Sequence, residues 1–202
     1  MNDRSTTGPT TRMSVIEGCR QGDNQAWTAF FNIYAPIVYR YSRQAGLPES
    51  DAEEVVAKVM GNFIQALRGG FAVDHAVGRF RHYLRSTANH EIAAQRRRRL
   101  KKHARLEEVP EPPSNDPLPE QCWSDLERQE RLRLCLERLR SLPEVGPRDL
   151  LAFQRYGLQN EPAEVVAQEL NISKSRLYAI KHEIIQHLRR LRVELDVILG
   201  EV

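Results

Sequence analysis

The residues with the clearest chemistry lie near the C-terminus: Ser173, Lys174, Ser175, Arg176, Tyr178 and Lys181. At helical spacing they share the start and outer face of one helix, as hydroxyl, ammonium and guanidinium donors with one aromatic ring. Such a set can bond phosphate oxygens and base edges. It holds no nucleophile beside a base. A second set comprises Arg81, Tyr83, Arg85, Ser86 and Asn89, running into Arg96 and Arg97. Rings and amides interleaved with arginines suit unpaired nucleic acid, because rings stack on bases and guanidinium groups hold the backbone. The competing reading of each set is a solvated charged face.

Catalytic and metal patterns are missing. The sequence has no G-x-x-x-x-G-K phosphate loop, no G-x-S-x-G elbow and no H-E-x-x-H pair. His75, His82 and His90 lack a suitably spaced carboxylate, so the expectation is a protein that is not an enzyme and needs no cofactor or metal. Cys19, Cys122 and Cys135 stand far apart, which fits free thiols in a reducing compartment.

Positioning these side chains requires helices, and period-3.6 patterns dominate the sequence. Asp23 or Asn24 caps a helix with Trp27, Phe30, Phe31, Tyr34, Ile37 and Tyr41 on one face, which Pro36 should kink or split. Gly46 and Pro48 punctuate; Ser50 and Glu53 fit a capping box for a helix burying Ala52, Val55, Val56, Val59, Phe63 and Leu67 and stopped by Gly69-Gly70. A third helix starts near Gly78, with Phe80, Leu84, Ala88 and Ile92 at four-residue steps, and continues into Arg96–Arg99.

A second capping box, Ser124 with Glu127, opens a helix with Leu126, Leu132, Leu136 and Leu139 inward. Pro147 opens a short helix that Gly157 closes. Between Ala163 and Ile180 the pattern is that of a helix-turn-helix. Val166, Ala167 and Leu170 pack one side, and Asn171 takes the turn because Asn tolerates positive φ. Ile172, Leu177 and Ile180 pack the other side, and Ser173 caps the second helix. An ordinary αα-hairpin would share that trace.

Net charge is +3, but its distribution is uneven. Residues 79–105 carry ten Lys/Arg against one Glu, and residues 106–130 carry eight Asp/Glu against one Arg. A basic helix followed by an acidic stretch suggests a polyanion-binding element beside something that avoids or mimics a polyanion. Five prolines between Glu107 and Glu120 make the acidic stretch a linker. No apolar run approaches the roughly 18–20 residues of a membrane span. The polar first residues lack the apolar core of a secretory signal, so a cytoplasmic protein is expected.

These expectations combine into an all-α chain of two helical domains. Residues 1–13 form a disordered tail, 14–105 a first domain, 106–121 an extended acidic Pro-rich linker and 122–202 a helix-turn-helix domain. The order of parts resembles an extracytoplasmic-function (ECF) type RNA polymerase sigma factor of the sigma-70 family, over about residues 14–195. Asp51-Ala52-Glu53-Glu54-Val55-Val56 resembles the start of that family's core-polymerase-binding helix. Gly78-Arg79-Phe80-Arg81-His82-Tyr83-Leu84, with Ala88-Asn89 and Arg96-Arg97, resembles its −10 recognition segment. Leu139-Arg140-Ser141-Leu142-Pro143 before the helix-turn-helix resembles its −35-reading region.

The resemblance implies two partners, RNA polymerase core and promoter DNA, with an anti-sigma factor as a further one. It implies a sigma region 2 bundle and a region 4 domain. Asp51, Glu53, Glu54 and Lys58 would face polymerase, the 78–99 helix would take −10 DNA, and a 174–191 recognition helix would take −35 DNA. The alternative is a stand-alone helix-turn-helix transcriptional regulator.

Overall fold

The structure is a computed structural model that describes residues 15–69, 77–104 and 117–198. The tail at 1–13 and most of the expected linker, 106–116, lie outside the described residues. The described residues form helices and no strand. In chain order the α-helices are α1 (Val15–Arg20), α2 (Asn24–Gln44), α3 (Glu49–Arg68), α4 (Val77–Ala104), α5 (Glu120–Arg140), α6 (Pro147–Ala152), α7 (Ala163–Glu169) and α8 (Lys174–Ile198). A π-helical segment, Phe153–Leu158, follows α6 directly.

The chain divides into two units, Met1–Glu130 with Val197–Val202, and Arg131–Asp196. The sequence placed the boundary at 121/122; it falls instead within α5, at 130/131. Residues 120 and 121, assigned to the linker, are the first turn of that helix.

In the first unit, α2, α3 and α4 close around an aromatic cluster. Phe30 stacks on Phe63 with centroids 4.5 Å apart, and Phe80 lies 5.3 Å from Phe63 and 5.1 Å from Tyr34. Phe80, Leu84, Ala88 and Ile92 are all buried, as their four-residue spacing predicts. Asp23 caps α2 by accepting a hydrogen bond from the Gln25 amide at 2.8 Å. Gly46 turns the chain toward α3 at φ +83, where a side chain would strain the backbone.

Three expectations fail here. Pro36 does not split α2, which runs unbroken through it; buried Ile33, Tyr34, Ile37 and Val38 on both sides hold the helix across the one lost backbone bond. Phe31 is exposed rather than inward. Ser50 forms no cap, because α3 begins at Glu49 with Pro48 as its N-cap and no side-chain bond there.

The second unit packs Leu139, Ala152, Phe153, Val166, Leu177, Ile180 and Ile184 into its own core. Leu136 borders that core, whereas Leu132, expected inward, is exposed. Pro147 occupies the first turn of α6, as expected. Gly157 does not close that helix. It lies inside the π-helical segment, where a Cβ would meet two carbons of the Phe153 ring at 2.8 Å. The turn that follows is made by Asn160 at φ 56.

Gly157→Ala should therefore destabilise this unit by about 1–3 kcal/mol, because the buried ring has to move. A lowered denaturant midpoint of the Arg131–Asp196 unit checks this, and an unchanged midpoint would contradict it.

Candidate nucleic-acid interface

Between α7 and α8 the turn and the cap take the form that the sequence predicts. Asn171 adopts φ 49 between α7 and α8, and the Ser173 hydroxyl accepts the Arg176 amide at 3.1 Å. Val166 and Leu177 are fully buried and Ile180 nearly so, which fixes the angle between the helices. Lys174, Ser175, Arg176 and Tyr178 are consequently exposed at the start of a 25-residue helix, with Tyr178 49% accessible.

Supports invisible to sequence reasoning hold this pair. Arg148 donates to the carbonyls of Leu170 and of Asn171, the latter at 3.2 Å, satisfying the orphan C-terminal carbonyls beside the turn. Arg155 bridges Glu161, just before α7, at 2.6 Å and Glu169, at its end, at 2.7 Å. Those two carboxylates raise the Arg155 pKa, and Arg155 in turn lowers that of Glu161. Lys181 is half-buried with its ammonium 4.6 Å from the centre of the Tyr156 ring, and Tyr156 lies 5.7 Å from Tyr178. Arg155 and Tyr156 come from the π-helical segment, for which the sequence offered no signal.

The exposed cations already have carboxylate neighbours. Lys174 pairs with Glu164, which raises the lysine's pKa and lowers the glutamate's. Arg176 reaches Asp149 at 2.9 Å and Glu183 at 3.1 Å. All three carboxylates are solvent-accessible, so the pairs exchange readily for an incoming anion.

On α4 the expected residues divide between two faces. Tyr83 and Ser86 border an open cavity of about 720 Å³ with Asn62 and Gln65 of α3 and His82 and His90 of α4. The Tyr83 hydroxyl donates to the Asn62 carbonyl at 3.3 Å. Arg81 and Arg85 instead meet the first half of α5, and Asn89 meets α2. Arg85 pairs with Glu120 at 3.0 Å and Arg81 with Glu127 at 3.4 Å, while Asn89 accepts the Tyr41 hydroxyl at 2.9 Å. Burial pushes the Tyr41 pKa up.

The arginine run also divides. Arg96, expected at a phosphate, is buried and donates to the Ala45 carbonyl at the end of α2, so packing has claimed it. Arg98 and Arg99 pair with Glu54 at 2.8 Å and Asp51 at 3.4 Å. Arg97 remains exposed.

The expected polymerase-facing residues Asp51, Glu53, Glu54 and Lys58 all lie in the first half of α3. Lys58 above all, then Gln95 and Arg98, hold the Glu54 carboxyl down at about 2. Asp51 and Glu54 thus tie α3 to the end of α4, leaving Glu53 exposed on the outer side.

The second capping box is absent. Ser124 lies inside α5, and Glu127 is buried, accepting the Trp123 indole N–H at 3.0 Å.

Among the described residues no group of three His, Cys, Asp or Glu side chains could hold a metal ion, and no helix is long and apolar enough to cross a membrane. The exposed donors, rings and guanidinium groups on these faces are of the kinds that can bond an anionic polymer. Compared with known proteins, the chain matches no protein-family model, no curated protein and no solved structure.

Proposed function

We propose that this chain is a sigma-type specificity factor, which binds core RNA polymerase and directs promoter-specific transcription initiation. Two helical units, each with a cationic helix, suit a protein that grips a promoter at two places. In this reading residues 78–99 of α4 take −10 DNA, residues 174–191 of α8 take −35 DNA, and the start of α3 docks on polymerase. Glu53 is an exposed acidic contact there. The chain from one grip to the other then runs through the acidic stretch and on into α5, within which the two units divide.

The observation that carries the reading is the exposed opening of α8. Lys174, Ser175, Arg176 and Tyr178 project together from a capped helix start that a positive-φ Asn171 swings out of the core. That is the geometry by which a recognition helix enters a major groove. The arginine-rich 28-residue α4 on the other unit extends the reading from one DNA contact to two.

Association separates this function from a stand-alone regulator. The purified chain should co-elute with core polymerase and shift promoter duplex strongly only when core is present. Tight duplex binding by the chain alone, with no co-elution, would replace the proposal with the stand-alone regulator.

A further inference from the structure

The acidic first half of α5 lies against the cationic face of α4, within the same unit. Glu120, Trp123, Leu126, Glu127 and Glu130 fall within about a third of the helix circumference at roughly 100° per residue. All are directed at α2 or α4 or buried between them. Glu120 and Glu127 take Arg85 and Arg81, and Glu130, fully buried, takes Arg40 at 2.9 Å. Trp123 is buried edge-on against Tyr41, with centroids 5.2 Å apart. The Tyr41 hydroxyl also reaches the Leu118 carbonyl at 3.3 Å.

Carboxylates here occupy the guanidinium groups that a sugar-phosphate strand would use. We propose that residues 118–130 are a displaceable lid, an internal polyanion mimic that covers the α4 face in the free protein and leaves when single-stranded DNA binds.

This inference rests on reading α4 as a DNA surface. The lid is held by apolar burial of Trp123 and Leu126 together with ion pairs, and its edge is open, since the Glu120 side chain is 78% accessible. A DNA strand presents more negative charge along α4 and releases its own counterions on binding. The lid therefore reduces apparent affinity by the fraction of molecules that are closed. That device would keep the free chain from holding stray single strands.

The chain has two tryptophans, so Trp27→Phe in the full-length protein leaves Trp123 as the sole indole. Titration with oligodeoxythymidine should move its emission to the red as the lid leaves. In the same background, E120Q/E127Q should bind the oligonucleotide about tenfold tighter. E120Q alone, which removes an exposed carboxylate and does not threaten folding, should bind about threefold tighter.

Saturation by DNA with an unmoved Trp123 emission, or equal affinity in E120Q and its parent, would overturn the lid. The readout needs no polymerase. A red shift and tighter binding in a chain that never alters start-site choice would keep the lid and discard the promoter reading. Normal start-site choice with Trp123 still buried would discard the lid alone.

Discussion

Phe63→Ala should cost the first unit about 3–5 kcal/mol, the range for emptying a buried aromatic site. Phe63 is fully buried and touches rings from two other helices: Phe30 at 4.5 Å, Phe80 at 5.3 Å and both Trp27 and Tyr83 at 6.2 Å. Those rings come from α2 and α4, so the cavity cannot collapse without moving α4, which carries the proposed −10 DNA contacts. A small domain has about 5–15 kcal/mol in total, so this loss is a large share of it. Thermal unfolding followed by circular dichroism should show the transition of the first unit falling by more than about 10 °C. The Arg131–Asp196 unit, with its separate core, should keep its own transition. A shift of under about 3 °C would mean that the ring cluster is not what holds α2, α3 and α4 together.

Arg176→Ala should have the opposite signature, a small change in stability and a large one in binding. Its partners Asp149 and Glu183 are accessible, and exposed pairs of this kind contribute about 0–1 kcal/mol. If the guanidinium reads a base edge in the −35 element, its removal should weaken duplex binding by the polymerase-bound chain by about 1–3 kcal/mol, roughly tenfold to a hundredfold. Asp149→Asn should act in the other direction and strengthen binding modestly, because it frees the guanidinium from a competitor. Fluorescence anisotropy with a labelled −35 duplex measures both. Unchanged affinity in Arg176→Ala and in Lys174→Ala would remove the recognition assignment from the start of α8.

What the sequence revealed was local. Four-residue spacing identified the buried face of α4, and Asn171 with Ser173 identified the turn and the cap, because each depends on neighbours within one or two helical turns. What it concealed depends on residues far along the chain. Ser50 and Ser124 matched capping boxes that do not form. α3 starts with Pro48 as its N-cap, and α5 starts at Glu120, where Arg85 supplies a partner from 35 positions away. Glu120 read as the end of an anionic tether and Glu127 as half of a capping box, and both proved to face guanidinium groups of α4. Arg96 read as a phosphate contact because its neighbours are arginines, yet the helical twist turns it onto the Ala45 carbonyl. Gly157 read as a helix stop because glycine is common there, whereas its role is to let the Phe153 ring lie against the backbone. The clamps made by Arg148 and Arg155 left no trace, because any surface arginine would look the same.

The central claim is that one chain changes where RNA polymerase begins. Run-off transcription with core enzyme across a library of genomic promoters, with and without the purified chain, tests it most directly. The account predicts discrete start sites that appear only with the chain and share a two-part upstream motif. Identical start sites in both reactions would contradict it.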